Sequence, residues 1–267
     1  MLIKNLQSKI TKPIKIIFCE QENNDLMTAI KIATKNKIIN PIFVNNLEEA
    51  VKAVKNGDAD SMVAGIDYSS RDVIVATRDF IGIENEIFSS SFIMEMPDGR
   101  IIVLADCATN KNPSARQLAD IVVQTAEMAK LVLSIKPKVA MLSFSTLGSG
   151  GKDDSITKIH EAIDIVRENN PKIEVDGELQ LDSAINPAVA SKKAPNSTVA
   201  GQANILITPD LNSGNILYKS IEQFAGAKAY GPILQGFKSP VSDLSRGSTV
   251  DDIYGSIIIT AVRAQSL

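Results

Sequence analysis

Between Ile14 and Gly65 the chain alternates three short apolar runs with two stretches whose apolar residues recur at helical spacing, and few folds accept that rhythm. The runs are Ile14-Lys15-Ile16-Ile17-Phe18, Pro41-Ile42-Phe43-Val44 and Ser61-Met62-Val63-Ala64-Gly65. They are short, rich in β-branched or aromatic residues and bounded by polar chain, so they read as strands. Residues 25–37, with Leu26, Ile30 and Ala33 on one face, read as a helix. Residues 47–55 read as a second, with Asn46 as its N-cap and Gly57 as its stop signal. Strand, helix, strand, helix, strand is the signature of an α/β layer with parallel strands.

A second block with the same character begins near Ile87. Residues 87–96 and 100–105 read as strands joined by Pro97-Asp98-Gly99, a turn sequence that predicts a hairpin. Helices are expected over 113–133, 155–169 and 216–224, and strands over 139–143, 173–177 and 205–208. The chain closes on a helical pattern over 250–265, carried by Val250, Ile253, Ile257, Ile258 and Val262. The expectation is two α/β units with a boundary between Gly82 and Glu86.

Composition narrows the functions open to such a chain. Hydrophobic residues are 44% and charged residues 22% of the 267, which is ordinary for a globular protein and excludes a disordered or low-complexity reading. A net charge of −3 offers no broad basic face for nucleic acid. Tryptophan is absent and aromatics are 4%, so base-stacking platforms are no theme. Two cysteines, Cys19 and Cys107, and one histidine, His160, cannot assemble a His/Cys zinc site. They make no disulfide framework either, and reduced buried thiols are expected. His160 lies within a predicted amphipathic helix and reads as a surface or packing residue. No run approaches the roughly 18 apolar residues that a membrane helix needs. The first ten residues have neither a continuous apolar core nor a small-residue cleavage site, so no signal peptide is expected.

Three polar, glycine-rich stretches stand out, and ligands in such folds bind beyond the carboxyl ends of strands. The first is Ser143-Phe144-Ser145-Thr146-Leu147-Gly148-Ser149-Gly150-Gly151. Hydroxyls and free backbone N–H groups there suit a phosphate or carboxylate, although a surface loop needing glycine reads equally well. The P-loop spacing is absent. The second is Pro209-Asp210-Leu211-Asn212-Ser213-Gly214-Asn215, followed by Tyr218-Lys219; turn-making and helix capping account for much of it. The third is residues 241–252. Ser248 or Thr249 can cap the last helix with Asp251 and Asp252 in its first turn, where negative charge is favoured. That leaves Ser245-Arg246-Gly247 unexplained, and an arginine fork beside a serine suits a phosphate.

Taken together these stretches resemble the phosphate acetyltransferase (phosphotransacetylase) family. The resemblance rests on Ala105-Asp106-Cys107-Ala108-Thr109-Asn110, residues 139–146, Asp176-Gly177-Glu178-Leu179-Gln180-Leu181-Asp182, residues 193–201, residues 209–215, Gly231-Pro232-Ile233-Leu234-Gln235-Gly236 and Pro240-Val241-Ser242-Asp243-Leu244-Ser245-Arg246-Gly247. It is collinear from about Ser90 to the C-terminus. It implies two α/β domains with a cleft between them, similar to the isocitrate and isopropylmalate dehydrogenases. The first domain is then residues 1–84 plus 236–267 and the second 85–235. It implies reversible acetyl transfer between acetyl phosphate and coenzyme A, with CoA as a substrate, no permanently bound cofactor, no metal and no nucleic-acid or membrane partner. A cytoplasmic homodimer is expected.

By the same resemblance Asp252 takes the CoA thiol proton, Ser245 steadies the reacting carbonyl oxygen or thiol, and Arg246 binds phosphate or CoA. Ser143, Ser145, Thr146, Gly148 and Ser149 hold the acyl phosphate. Asn212, Gly214, Asn215, Lys219, Gln235 and Gly236 complete the substrate-binding set. A thiol titrates near 8.5 and an aspartate near 3.9, so full proton transfer is uphill by roughly 6 kcal/mol. The proton must therefore move as the sulfur attacks, or Asp252 must be raised by burial, or Arg246 must stabilise the thiolate. Family members tend to have a longer first domain and an arginine where an ungapped alignment puts Val75, with Arg71 and Arg78 nearby. Two alternatives stay open: a phosphate butyryltransferase, and a non-catalytic acetyl-CoA-binding regulatory module.

Overall fold

In the computed structural model, residues 1–84 and 86–266 are described; residue 85, where the expected second domain begins, and residue 267 lie outside them. In chain order the elements are α1 (Leu2–Gln7), β1 (Ile14–Phe18), α2 (Asn24–Lys35), β2 (Ile39–Phe43), α3 (Leu47–Asn56), β3 (Ser61–Ala64), α4 (Ser70–Ala76), a π-helical turn (Thr77–Ile81), β4 (Ser89–Glu95), β5 (Ile101–Ala105), α5 (Ala115–Leu133), β6 (Lys138–Leu142), α6 (Asp154–Asn169), β7 (Glu174–Leu179), α7 (Leu181–Ile185), α8 (Pro187–Lys193), β8 (Ile205–Ile207), α9 (Leu211–Ala225), β9 (Lys228–Gln235), β10 (Val241–Asp243) and α10 (Val250–Gln265). They fall into two compact units, residues 1–88 with 230–267 and residues 89–229. The expected cuts, at 84/85 and 235/236, lie a few residues from these; the second structural cut falls inside β9.

In the first unit the strand order is β2-β1-β3-β10-β9. The β2, β1, β3 and β10 pairings are parallel and β9 runs antiparallel to β10. All four residues of β3 are buried, as a strand covered on both faces requires. One face is covered by α3 and α4, whose Leu47, Ala50, Val51, Val54 and Val73 pack on Ile17, Met62 and Val241. On α10, Ile253, Ile257, Ile258, Ile259 and Val262 are all buried, and the helix packs against α2, α1 and β3. The capping signals act where the sequence puts them: Asn46 Oδ1 accepts from Glu49 N at 2.9 Å, and Gly57 closes α3 in the left-handed conformation at φ 81°.

The second unit repeats the plan with strand order β4-β5-β8-β6-β7. The hairpin of β4 and β5 is antiparallel and the β5/β8, β8/β6 and β6/β7 pairings are parallel. The long α5 begins at a reciprocal capping box between Ser114 and Gln117.

Two sequence expectations need correction. Residues 211–215 are not a loop but the first turns of α9, because Asp210 Oδ1 accepts from Ser213 N at 2.9 Å and starts the helix there. The periodicity does not predict α1, α4, α7, α8, β9 or β10; all but the eight-residue β9 are short, and β10 is the three-residue strand that leads to Ser245.

Candidate active site

Most of the chemistry-bearing residues follow the carboxyl ends of parallel strands, and three buried carboxylates shape those departures. Glu20, just beyond β1, is 5% exposed and accepts from the amides of Gly65, Asp67 and Tyr68 at 2.7–3.2 Å. Asp106, just beyond β5, is 2% exposed and gathers Ala108 N, Thr109 N, Asn110 N and Asn110 Nδ2, together with the hydroxyls of Ser90 and Thr109. Glu178, in β7, is fully buried and accepts from Ser145 Oγ at 2.6 Å and Gly148 N at 2.7 Å. Backbone amides that leave a sheet need acceptors, and each carboxylate supplies several.

In the first unit, Ser245 and Arg246 are exposed on the turn between β10 and α10. That turn is closed by Ser248 N donating to Ser245 O at 2.9 Å. Thr249 caps α10, and Asp252 completes the cap: its Oδ2 accepts from Thr249 N at 2.9 Å and from Thr249 Oγ1 at 2.7 Å. Asp252 thus has a structural task whatever else it does, as the capping expectation held. Two residues before Ser245, Asp243 is 1% exposed. Burial, helped by the charge of Glu20 and opposed by a hydrogen bond with Ser70, pushes its carboxyl up to about 7. Gly65 makes room for it: a Cβ there, at φ +108°, would lie 2.2 Å from Asp243 Oδ1. Gln235, buried, ends β9 and Gly236 follows it. Because β9 runs antiparallel to β10, with Leu234 opposite Val241, both lie beside the start of β10, at the other end of that strand from Ser245. These two expected substrate-binding residues are therefore not brought to the Ser245 turn. Val75, on α4, is 37% exposed; Arg78 is tied to its neighbour Asp79 at 2.8 Å.

In the second unit, Ser143 and Asn212 line one cavity of about 590 Å³ with Phe144, Leu181, Asp210 and Ile216. The rest of the first stretch turns inward. The amides of residues 145–151 all have acceptors within the unit: Ser143 Oγ, Ser149 Oγ, Glu178 O, Glu178 Oε1, Thr146 O, Ser145 Oγ and Gly148 O in turn. The free-amide cradle expected from its glycines is therefore not open. Ser145 and Thr146 are buried, and the Thr146 hydroxyl accepts from Gln180 N at 3.0 Å. Gly214 packs its bare Cα against Asp106, where a Cβ would meet the carbonyl oxygen at 2.3 Å. Asn215 Nδ2 donates to Cys107 O at 3.3 Å, and Lys219 is exposed with Nζ 5.0 Å from the Tyr218 ring centre. A larger hollow of about 820 Å³, lined by Lys130, Lys136 and Lys172, lies at the opposite ends of the strands, away from these residues.

Neither thiol is poised as a nucleophile. Both cysteines are free and buried, and burial pushes Cys19 up to about 12 and Cys107 further still. Among the described residues no group of three or more His, Cys, Asp or Glu could hold a metal ion, and no helix is long and apolar enough to cross a membrane.

Residues 43–261 match the model of the family described as phosphate acetyl/butaryl transferase. The chain belongs to the phosphate acetyl/butaryl transferase family. It is 45% identical over 225 residues to the phosphate acetyltransferase of Clostridium acetobutylicum, covering 81% of this chain and 67% of that one. It is 46% identical over 215 residues to the phosphate acetyltransferase of Nitratidesulfovibrio vulgaris, covering 80% of this chain but 30% of that one. The crystal structure of a phosphotransacetylase from Streptococcus pyogenes is similar at TM-score 0.94 and 35% identity, with 100% of this chain and 98% of that one covered. In this phosphotransacetylase-family chain, sequence reasoning missed Glu20, Asp243 and the Glu178–His160 pair. The one available signal was a charged residue inside or just after an apolar strand.

Proposed function

We propose that the chain catalyses the reversible transfer of an acetyl group between acetyl phosphate and coenzyme A. The observation that carries the reading is the exposed Ser245-Arg246 turn leading into α10, whose first turn holds Asp252. The CoA sulfur attacks the carbonyl carbon, a C–S bond forms, and the carbonyl oxygen becomes an oxyanion. Collapse breaks the bond to the phosphate oxygen and releases inorganic phosphate. Asp252 accepts the thiol proton as the sulfur attacks. Ser245 donates to the developing oxyanion, and the Arg246 fork binds phosphate oxygens or the thiolate. Ser143 and Asn212 contact the acyl phosphate, while Ser145, Thr146, Gly148 and Ser149 shape the loop that presents Ser143. Direct attack fits two cysteines that are buried and held as thiols. The reading includes no permanently bound cofactor and a cytoplasmic homodimer.

The test is acetyl-CoA formation from acetyl phosphate and CoA, followed by thioester absorbance. Asp252→Ala lowers kcat about a hundredfold or more, within the range for a lost general base, and Thr249→Ala, which removes the same cap, leaves kcat within a few fold. Equal losses in the two variants overturn the base assignment. No turnover with CoA bound overturns the enzyme reading in favour of a regulatory module. A preference for butyryl phosphate in an acyl series moves the assignment to the butyryl enzyme.

A further inference from the structure

The loop at residues 143–151 owes its shape to a side chain that none of the roles above uses. β6 and β7 pair in register up to Met141 and Gly177; then Leu142 pairs with Leu179, and Glu178 is the extra residue of a bulge. Bulges re-aim side chains. Gly177 permits this one, since a Cβ on it, at φ +154°, would lie 2.8 Å from Met141 O. The Glu178 side chain then lies beneath the loop that leaves β6. Its Oε1 accepts from Ser145 Oγ at 2.6 Å and from Gly148 N at 2.7 Å. Its backbone carbonyl accepts from Leu147 N at 3.0 Å, and that of Leu179 accepts from Ser143 N at 2.9 Å. The second carboxylate oxygen lies 2.6 Å from Nε2 of His160, on α6, whose side chain is half exposed. Burial works to raise the Glu178 carboxyl, but the hydrogen bonds from Ser145, Gly148 and His160 overcome it and hold the group below the ordinary glutamate value. With the carboxylate ionised, Nε2 of His160 carries the shared proton.

The hold reaches the cavity wall. Ser145 Oγ in turn accepts from Gly150 N at 2.7 Å, so one carboxylate oxygen fixes both sides of the loop. Ser143 and Phe144, at its start, line the 590 Å³ cavity. Gln180 Nε2 pins the Phe144 carbonyl at 2.9 Å.

We propose that Glu178 is a positioning residue that sets the shape of the 143–149 loop and through it the place of Ser143 in the acyl-phosphate pocket, with His160 covering its second oxygen. This rests on the reading that the loop faces the acyl phosphate. Glu178 touches no substrate; it acts through Ser145 and Gly148.

The experiment uses the full chain and two readouts. Amide hydrogen exchange reports the loop, and separate KM values for acetyl phosphate and CoA report its consequence. Glu178→Ala speeds exchange at Gly148 and Gly150 at least tenfold, leaves α5 amides unchanged, and raises the acetyl phosphate KM at least tenfold with the CoA KM within twofold. Glu178→Gln, which keeps an acceptor for Ser145 and Gly148, restores both readouts to within about threefold of the parent. It also carries the test if the alanine variant does not fold: unaltered exchange and KM in the glutamine variant support the acceptor role, and a loosened loop in it overturns that role. Unchanged loop exchange in Glu178→Ala overturns the inference, as does a loosened loop that leaves the acetyl phosphate KM unmoved or shifts both KM values equally. If the parent protein makes no acetyl-CoA, the proposed reaction fails first; exchange still decides whether Glu178 holds the loop, and the substrate half of the inference falls with the reaction.

Discussion

The two units use one device, a buried glutamate that collects the donors of a loop leaving the sheet, in opposite electrostatic settings. Glu178 faces only donors: a hydroxyl, an amide and an imidazole. Both its oxygens have hydrogen-bond donors, and its carboxyl sits below the ordinary value. Glu20 also collects amides, from Gly65, Asp67 and Tyr68, but it has a second buried carboxyl, Asp243, as a neighbour. Asp243 Oδ1 has no hydrogen-bond partner among the described residues. Burial raises the Asp243 carboxyl, and the charge of Glu20 beside it adds to the rise. The difference teaches that the loop of the second unit is held by a fixed charge, while the strand end before Ser245 carries a buried group that titrates near neutral pH.

The largest way to break this comparison is Gly65→Ala. The new Cβ would lie 2.2 Å from Asp243 Oδ1 and 2.8 Å from Leu244 N, on a backbone at φ +108°. A loss of about 4 kcal/mol or more, or no soluble protein, is expected from denaturant unfolding, since clash and strain add. Next comes Glu20→Ala, which leaves the three amides without their acceptor. A loss of about 3 kcal/mol is expected, at the low end for a broken buried charged network. A loss below 1 kcal/mol would show that water replaces the carboxylate and that the two units are not built alike.

Asp243→Asn sharpens the electrostatic contrast. A carboxyl raised to about 7 in the fold binds a proton that the unfolded chain has already released above about 4. Its contribution is complete below about pH 4 and is lost as pH rises to about 7. Subtracting the variant's stability profile from the parent's should leave a decline across that window. Glu178 runs the other way: its carboxyl is lowered, so its contribution holds at neutral pH and is lost as pH falls through its folded value. A flat difference for Asp243→Asn would show that Asp243 does not titrate across that window. The smallest stability effect is Arg246→Ala, an exposed side chain on the turn. Melting should move by less than about 0.5 kcal/mol equivalent, while KM for acetyl phosphate or CoA rises several fold. Unchanged KM for both would remove Arg246 from the proposed site.

Much of the scaffold was legible because it follows from periodicity and capping. Apolar runs at 14–18, 139–143 and 205–208 became β1, β6 and β8, and Asn46 and Gly57 bound α3 as their chemistry dictates. The hairpin around Pro97-Asp98-Gly99 formed as its turn residues require. The site was legible only in part. The 143–151 stretch was found as a loop, but its glycines suggested open amides, and the fold closes them on Glu178, Ser145 and Ser149. His160 read as a packing or surface residue, and nothing in its own helix shows that it lies 2.6 Å from a glutamate in β7.

The sequence by itself determined the α/β alternation in both units, the caps that bound α3, the hairpin turn, and the turn that carries Ser245 and Arg246, because these depend on residues within a few positions of one another. Only the tertiary structure decided which carboxylate holds which loop. The bulge at Glu178, the Glu20–Asp243 neighbourhood and the Gly214–Asp106 contact each join residues far apart in the chain. A buried charge reveals its role only through the donors that surround it, and those are supplied by the fold.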